Sequence, residues 1–468
     1  MSKIKFGTDG WRAIIAKEYT VENVARISHA TGTWTKNNFE NPSITIGHDC
    51  RFGGALFTET AVKVFISMGI KVYMSEDFIS TPMISLATKN LNASLGVVIT
   101  ASHNPPSYNG YKLKGHYGGP LTSDKVQEVE DLIPDDNTID LNAISIEEAI
   151  KNGRVEIVDF EQMYIDAVEA SFDLDAIRNA GLNFAYDAMY GAGQSVMKRL
   201  FPDMTFLHCE HNPSFHGQAP EPIAKNLVEF SELIQSNGNI AAGLATDGDA
   251  DRIGLFNSTG EFIDSHHIIL LLMQYLHKHK GMNGKVVVAA STTPRVVKLA
   301  ERWGLNHDTV QIGFKHIAHQ MITEDVLIGG EESGGIAIKG HIPERDGIWM
   351  GLVIFEYMAK TGKSLEDLIS EIYELVGAFK YWRDDLHIDE ALKKEIVANC
   401  KNGNYSHFGE YKISETDTTD GYKYIFNENE WLMIRPSGTE PVLRCYAEST
   451  TLDKAKEILS NCKTQIGV

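Results

Sequence analysis

The sequence predicts an α/β fold, with three related α/β domains followed by a smaller α+β domain. Three apolar runs, at residues 43–49, 182–187 and 285–291, each precede a polar loop and then a helix-like stretch. Because these strand–loop–helix units recur along the chain, they suggest three domains built on one plan. A similar alternation is typical of any α/β protein, so the relatedness of the three units is a hypothesis.

Length and local composition indicate where the domains begin and end. A chain of 468 residues is expected to hold about three domains. The acidic segment 133–153 has the composition of a surface connection, and residues 258–260 open the third unit. After residue 379, short strands, polar loops and a terminal helix at 452–462 indicate the smaller domain. The predicted domains are 1–150, 151–257, 258–378 and 379–468.

The charge, the cysteines and the hydropathy of the chain predict a protein of the cytoplasm. The net charge of −20 argues against nucleic acid as a partner. The longest apolar stretch, around residues 268–273, is too short to span a bilayer, which argues against a membrane protein. Residues 1–5 lack a signal-peptide pattern, and the five cysteines have no spacing typical of a metal site. We therefore expect free thiols in a reducing compartment.

The first candidate site is a loop at residues 100–112, which follows a buried strand predicted at 95–99. The loop presents Ser102 beside His103 at the carboxyl end of that strand, where ligands bind in open α/β sheets. Lys112 lies ten residues after the serine. This set suits a hydroxyl nucleophile with an acid–base neighbour and a cation for an anionic substrate. An ordinary strand-to-loop turn is the alternative.

Three aspartates, Asp247, Asp249 and Asp251, follow a second apolar run and form the next candidate site. Carboxylates at alternate positions repel one another unless a cation lies between them, and hard oxygen ligands suit Mg²⁺ or Ca²⁺. An EF-hand is excluded, because Arg252 and Ser258 occupy the positions where that loop needs glycine and glutamate. The pattern favours a metal site over a solvated acidic turn.

The glycine-rich run at residues 329–335 is a third candidate site. Its four glycines let the backbone approach a ligand closely. Glu331 and Ser333 offer a carboxylate and a hydroxyl that suit the hydroxyl groups of a sugar. Taken alone, the run favours a glycine-rich hairpin or turn.

The fourth candidate site is the run at residues 435–441, which reads RPSGTEP. Arg435, the hydroxyls of Ser437 and Thr439, and a backbone N–H exposed at Gly438 would form a cradle for a phosphate group. The prolines near its two ends would stiffen this cradle. A turn with an incidental arginine explains the run equally well when the run is taken alone.

Together, the four runs resemble the α-D-phosphohexomutase superfamily, the group of phosphoglucomutases and phosphomannomutases. The resemblance begins at residues 6–12 (FGTDGWR), which are similar to the family's N-terminal signature. The motifs occur in the family's order and span residues 6–441, nearly the whole chain. The resemblance implies three α/β domains and a smaller C-terminal domain around a central cleft.

The same resemblance implies an activity. The family moves a phosphoryl group between the 1- and 6-positions of a hexose, through a phosphoserine that corresponds to Ser102. The intermediate is a hexose 1,6-bisphosphate, which also acts as activator, and Mg²⁺ lies between the Ser102 phosphate and the three aspartates. His103 and Lys112 match positions tied to general acid–base work, and Arg12 would balance charge at the reacting phosphate. A neutral structural histidine and a surface lysine are the alternatives for the first two.

The remaining motif residues are expected to bind the phosphosugar substrate. Glu331 and Ser333 match family residues that contact the 3- and 4-hydroxyls, and the cradle at 435–441 would hold the non-reacting phosphate. Because the whole chain is acidic, local cations must attract phosphate against the overall field. Arg252 and Lys315 are expected to supply two of these cations.

The run GEESGG favours glucose phosphate as substrate, with mannose phosphate as the second option. Glucose-preferring members share its first four residues, and phosphoglucosamine mutases tend toward glutamine where Glu332 stands. Residues 313–315 also resemble the glucose-type and mixed-type enzymes. Phosphoglucosamine mutase and phosphopentomutase are the alternatives within the family. A non-catalytic sugar-phosphate-binding protein on the same scaffold and a phosphatase are the alternatives outside it.

Overall fold

The computed structural model describes residues 4–7, 9–436 and 442–468. Helices and strands alternate along the chain, and the strands form several sheets. This mixed architecture confirms the predicted α/β class. The chain divides into two compact units. The first unit runs to Lys285 and takes in Gly313–Leu368, and the second consists of Val286–Ile312 and Ile369–Val468.

A mixed sheet with flanking helices forms the N-terminal part of the first unit. Its elements are β1 (Trp11–Ile14), α1 (Val21–Asn38), β2 (Ser43–His48), α2 (Gly54–Ser67), β3 (Lys71–Met74), α3 (Thr81–Asn90), β4 (Leu95–Ile99), β5 (Tyr108–Gly115), β6 (Gly119–Pro120), α4 (Ser123–Asp131), α5 (Ile146–Lys151), β7 (Val155–Ile157) and α6 (Phe160–Ser171). The strand order is β1-β5-β4-β2-β3-β7, with β6 beside β5. Strand β2 is parallel to β3 and β4, whereas β5 is antiparallel to β4 and β1. The serine loop, residues 100–107, therefore joins two neighbouring strands.

The core of this part fixes the start of the serine loop. All five residues of β4 are apolar or glycine and are buried, so the strand lies inside the sheet. Ile27 of α1 and Phe65 of α2 share one apolar core with Val97 of β4. Helix α1 begins at a cap, because the Thr20 hydroxyl accepts a hydrogen bond from the amide of Asn23.

A second sheet occupies the next part of the first unit. Its elements are α7 (Leu174–Arg178), β8 (Asn183–Asp187), α8 (Gln194–Leu200), β9 (Thr205–Leu207), α9 (Val228–Asn237), β10 (Ile240–Thr246), β11 (Ile253–Asn257) and β12 (Phe262–Ile263). The strand order is β12-β11-β10-β8-β9, with β10 parallel to β8 and antiparallel to β11. The aspartate turn, residues 247–252, joins β10 to β11.

The third stretch of the chain contributes to both units. Its elements are α10 (Ser265–Gln274), β13 (Lys285–Ala289), α11 (Pro294–Arg302), β14 (His307–Val310), α12 (Phe314–Thr323), β15 (Val326–Gly330), β16 (Ile336–Ile338), α13 (Gly347–Thr361) and α14 (Leu365–Val376). In the second unit, β13 pairs in parallel with β14, and α11 connects the two strands along the chain. In the first unit, β15 and β16 pair antiparallel, and the glycine-rich turn, residues 331–335, joins them.

The C-terminal stretch forms an antiparallel sheet with helices. Its elements are β17 (Lys380–His387), α15 (Glu390–Lys401), β18 (His407–Phe408), β19 (Tyr411–Lys412), β20 (Glu415–Asp417), β21 (Tyr422–Asn427), β22 (Glu430–Pro436), β23 (Val442–Ser449) and α16 (Leu452–Ile466). The strand order is β17-β23-β22-β21-β20. Ile458 and Leu459 of α16 share a core with Leu432 and Leu443 of the sheet. This arrangement is the α+β domain that the sequence predicts.

One predicted connection contains more structure than expected. The segment 133–153 carries helix α5, and β7 then pairs with β3 and extends the first sheet past residue 150. The reason is that Val155 is buried at the edge of the sheet and completes its core. The predicted domain limits at 150, 257 and 378 stay predictions.

The cysteines lie in the interior. Cys50, Cys209, Cys400, Cys445 and Cys462 are all buried free thiols. Among the helices of the described ranges, none combines the length and the apolar character that a membrane crossing requires.

Candidate active site

Ser102 lies directly beyond β4 with its side chain aimed at the aspartate turn. Its φ of 52° is in the left-handed region, which is uncommon for a residue other than glycine. Its amide donates a hydrogen bond to Thr100 Oγ1 at 2.8 Å. Its own Oγ donates to Asp247 Oδ2 at 2.7 Å. The backbone conformation therefore brings the predicted nucleophile to the first aspartate of the triplet.

The serine loop and the aspartate turn touch at Gly248. A Cβ on this residue would lie 2.6 Å from the carbonyl oxygen of Ser102. Such a distance is shorter than atoms tolerate, so only glycine lets the two backbones approach this closely. The contact fixes the distance between the serine hydroxyl and the carboxylates.

Replacing Gly248 by alanine is expected to lower kcat roughly ten- to a hundredfold, because a displacement of about 1 Å between reacting groups has effects of this size. Gly69→Ala is the matched control. Gly69 has a φ of 77° with open space around it, so its substitution strains the backbone without displacing the loops. Steady-state kinetics and thermal unfolding of both variants test this. Equal kcat values in the two variants would show that the close approach is unimportant.

Asp247, Asp249 and Asp251 form a buried triplet. Within the chain segments that the structure describes, they are the one group of three metal-ligating side chains, with ligand atoms within 4.8 Å of one another. Oδ1 of Asp249 and Oδ1 of Asp251 are buried without a hydrogen-bond partner. Burial, and then the charges of the other two aspartates, raises the pKa of Asp247 well above its usual value. A divalent cation with oxygen ligands fits this set, because it would partner the two free oxygens and relieve the repulsion.

Lys112 of β5 is buried among carboxylates rather than exposed at the surface. Its Nζ lies 2.8 Å from Asp9 Oδ2, 2.8 Å from Asp249 Oδ2 and 3.0 Å from Asp251 Oδ2. Burial lowers the pKa of Lys112, but these three carboxylates outweigh it, so the pKa lies above the usual value of lysine. In this arrangement, Lys112 is a fixed cation. Its predicted acid–base role stays a prediction.

A second set of charges supports Lys112. Arg345 donates to Asp251 Oδ2 at 2.7 Å and also to Asp9. Lys114 Nζ lies 2.7 Å from Glu344 Oε2. Burial raises the pKa of Asp9, but the lysines and Arg345 outweigh it and hold that pKa well below its usual value. Asp9 is therefore an anion that ties the N-terminal motif to the aspartate turn.

His103 and Arg12 also lie at the serine loop. His103 Nδ1 is 3.2 Å from Ser102 Oγ, and its Nε2 is 3.5 Å from Arg252 Nη2. Burial, followed by the charges of Arg252 and Arg12, lowers the pKa of His103 well below its usual value. The imidazole is therefore neutral near pH 7, with one ring nitrogen free of hydrogen. Arg12 Nη1 donates to Asn104 Oδ1 at 2.6 Å, which anchors it at the serine loop.

The glycine-rich turn lies beside the aspartate turn. The amide of Ile253 donates to the carbonyl of Gly334 at 3.1 Å, which joins the two turns by a backbone hydrogen bond. Glu331 is buried, and its Oε1 accepts a hydrogen bond from the amide of Gly313 at 2.9 Å. Burial raises the pKa of Glu331. Ser333 is partly exposed at the tip of the turn.

The other two predicted cations lie in different units. Lys315 lines a cavity of about 170 Å³ together with Asp9 and Gly10. Arg435 belongs to the second unit, where its Nε donates to Asp420 Oδ1 at 3.0 Å. Its predicted partners lie outside the described residues: Ser437, Gly438 and Thr439.

Four of the charged residues described above carry no role in the sequence analysis: Asp9, Lys114, Glu344 and Arg345. Asp9 lies inside the N-terminal motif at residues 6–12, so the sequence could have indicated it as a site residue. Arg345 is 336 positions away from Asp9, one of the two aspartates that it contacts. Only the folded chain brings such a pair together.

Phosphoryl transfer requires an oxygen nucleophile held in place and cations that balance the charge on the moving group. Ser102 and its surroundings meet both requirements, so the fold and the site together define an α/β phosphotransferase. By its sequence, the chain belongs to the phosphoglucomutase/phosphomannomutase family. It is thus a phosphomutase, an intramolecular phosphotransferase, as the resemblance implies. The family models match its alpha/beta/alpha domains I, II and III at residues 3–139, 162–260 and 264–376, and its C-terminal domain at 385–462.

Three similar proteins extend over nearly the whole chain. The phosphoglucomutase/phosphomannomutase of Thermococcus kodakarensis is 31% identical over 461 residues, which is 97% of this chain and 96% of that protein. The phosphoglucosamine/phosphogalactosamine mutase of Sulfurisphaera tokodaii is 29% identical over 470 residues, 98% of each chain. A structure described as a phosphomannomutase from Thermus thermophilus has a TM-score of 0.87 at 30% identity and covers 100% of both chains. The names of these proteins differ in the sugar.

Proposed function

We propose that this protein interconverts hexose 1-phosphate and hexose 6-phosphate, with glucose favoured and mannose also accepted. The reaction proceeds through a phosphoserine at Ser102 and a hexose 1,6-bisphosphate. The observation that supports this most strongly is the 2.7 Å contact between Ser102 Oγ and Asp247 Oδ2. It places a hydroxyl able to carry the phosphoryl group beside carboxylates that suit a divalent cation.

The three aspartates would hold Mg²⁺ together with the phosphate carried by Ser102. When bound, the ion supplies Lewis-acid stabilisation of the negative charge on the moving group. Hydrogen bonds from neighbouring residues fix the positions of two of these carboxylates. Thr81 Oγ1 donates to Asp249 Oδ2 at 2.5 Å, and the amide of Arg252 donates to Asp247 Oδ1 at 3.0 Å.

His103 is the group that we assign to the proton of Ser102. That proton must leave as the serine oxygen takes the phosphoryl group, and it returns when the phosphoryl group departs. Its Nδ1 lies 3.2 Å from Ser102 Oγ, so the ring is within reach of this proton in the tautomer that carries its hydrogen on Nε2. Lys112 remains protonated and balances the carboxylates, while Arg12 balances charge on the incoming phosphate.

Replacing His103 by asparagine is expected to lower kcat about a hundredfold, the smaller end of what a positioned acid–base group contributes. The KM for sugar phosphate should change little, because the His103 ring contacts Ser102 and is not among the residues proposed to bind the sugar. Steady-state kinetics measure both quantities, with His116→Asn, an exposed histidine after β5, as the control. An unchanged kcat in His103→Asn would show that another group takes the hydroxyl proton of Ser102.

Substrate binding is proposed for the residues that match the family's motifs. Glu331 and Ser333 on the glycine-rich turn would bind the 3- and 4-hydroxyls, which are available in either orientation of the sugar. Lys315 and Arg252 would attract the phosphate groups. Arg435, together with residues 437–439, would hold the phosphate that is not reacting.

Phosphoglucosamine mutase is the second candidate function, because a relative that matches almost the whole chain bears a name of this class. The experiment compares kcat/KM for the 1-phosphates of glucose, mannose, glucosamine and ribose. We expect the highest value for glucose and a lower one for mannose. A highest value for glucosamine would favour the second candidate, and one for ribose would indicate a phosphopentomutase.

Hexose 1,6-bisphosphate is proposed as the activator. It would restore the phosphoserine whenever the intermediate escapes before the second transfer. Adding it should raise the rate of glucose 6-phosphate formation from glucose 1-phosphate. A simple phosphatase would release inorganic phosphate and would not be activated.

We also propose that the enzyme works in the cytoplasm. The five cysteines are buried free thiols, and thiols persist in reducing compartments. Detection of the protein in separated cell fractions tests this, and recovery from an oxidising compartment would contradict it.

A further inference from the structure

Arg51 lies under the serine loop, and its side chain is fully buried, with an exposed fraction of 0%. Its Nη2 donates to the carbonyl oxygens of Ser102 and Asn104, the second at 2.7 Å. Its Nη1 donates to the carbonyl of Pro105 at 2.9 Å and to that of Tyr108 at 3.3 Å. One guanidinium therefore binds three carbonyl groups of the serine loop and the carbonyl of Tyr108, the first residue of β5.

Asp49 completes the arrangement from the other side. Its Oδ2 lies 3.2 Å from Arg51 Nε and accepts a hydrogen bond from Thr100 Oγ1 at 2.5 Å. The Thr100 hydroxyl in turn accepts a hydrogen bond from the amide of Ser102 at 2.8 Å. The carbonyl of Ser102 is thus held by Arg51 directly, and its amide is held by Asp49 through Thr100.

All five N–H donors of Arg51 are engaged, one by the carboxylate and four by carbonyls. The ring of Phe215 lies 5.0 Å from the guanidinium carbon. A lysine has three donors and no planar fork, so it could not make the same set of bonds. The geometry is specific to arginine.

We propose that Arg51 and Asp49 are positioning residues for phosphoryl transfer. They hold Ser102 in the left-handed conformation from which Oγ faces Asp247, both when the serine is free and when it carries phosphate. The inference rests on the proposed function, because it assumes that Ser102 is the residue that is phosphorylated. The serine must meet both ends of the sugar in turn, so its oxygen has to return to one place.

The test is the Arg51→Lys variant, measured with glucose 1-phosphate and glucose 1,6-bisphosphate. We expect kcat to fall roughly a hundredfold, because a nucleophile misplaced by about 1 Å has this effect. The KM should stay within about threefold of the wild-type value, because the Arg51 side chain is fully buried and all its donors bind protein groups. In ³¹P NMR, the phosphoserine resonance of the variant should shift or broaden relative to the wild type.

Arg26→Lys is the matched control. Arg26 is also a buried arginine of the first unit, and its Nε donates to the carbonyl of Pro134 at 2.7 Å. We expect that variant to lose stability but to keep kcat per folded molecule. If Arg51→Lys does not fold, Asp49→Asn takes its place, and we expect a kcat at least about tenfold below wild type.

The outcomes separate the two proposals. A folded Arg51→Lys or Asp49→Asn variant with wild-type kcat and an unchanged phosphoserine resonance would overturn this inference alone. A wild-type protein that never carries phosphate on Ser102 would overturn the proposed function. A loss of kcat equal to that of Arg26→Lys would reduce Arg51 to a stabilising residue and would also overturn the inference.

Discussion

Turnover of sugar phosphate is expected to disappear when Ser102 is replaced by alanine, with kcat falling by roughly four to six orders of magnitude. The substitution removes the oxygen that we propose takes and returns the phosphoryl group, and no neighbouring hydroxyl of the described residues occupies its place beside Asp247. The fold should persist, because the change removes the contacts of one hydroxyl, which cost about 1 to 3 kcal/mol. A coupled assay for glucose 6-phosphate measures the effect.

Ser107→Ala is the control for this variant. Ser107 lies in the same loop, but its side chain is exposed, so the variant should keep wild-type turnover. Unfolding curves of both variants establish that they fold. Activity of Ser102→Ala within tenfold of the control would contradict the role assigned to this hydroxyl.

Replacing Asp247 by asparagine is expected to lower kcat by about three orders of magnitude. The substitution keeps the shape of the side chain but removes a charge that Mg²⁺ needs, and about 4 kcal/mol of transition-state stabilisation corresponds to that loss. Without metal, the variant should be at least as stable as the wild type, because one of three buried, mutually repelling carboxylates is gone. Activity and stability should therefore change in opposite directions.

Thermal unfolding with and without Mg²⁺ tests this second variant. The wild type should gain stability from the ion, because a ligand that binds the folded state raises its unfolding temperature. Asp247→Asn should gain much less, and Asp131→Asn, at an exposed position, should behave as the wild type does. An equal Mg²⁺ response in all three proteins would show that the triplet does not hold the ion.

The sequence predicted the parts of the site that follow buried strands. Ser102 and the aspartates each come after an apolar run, and the run marks both the strand and the point where it ends. The hydrogen bond between Ser102 and Asp247 could not be read from the chain, because the two residues are 145 positions apart. It depends on how closely two loops approach each other.

The charged neighbours of these motifs were harder to predict. The acid–base role of Lys112 stays a prediction, and the sequence did not show that three carboxylates from two distant segments surround this lysine and favour its charged form. Arg51 follows a predicted strand without any motif, and its role emerges only because its guanidinium reaches the carbonyls of another loop. The number of partners that a side chain acquires is a property of packing rather than of local sequence.

The most direct measurement is the mass of the peptide that contains Ser102, before and after the protein is incubated with glucose 1,6-bisphosphate and then with excess glucose 1-phosphate. We predict one phosphoryl group on Ser102 after the first step, and its exchange with the sugar during the second. A peptide that stays unmodified while the protein turns over, or a phosphate that never exchanges, would contradict the account.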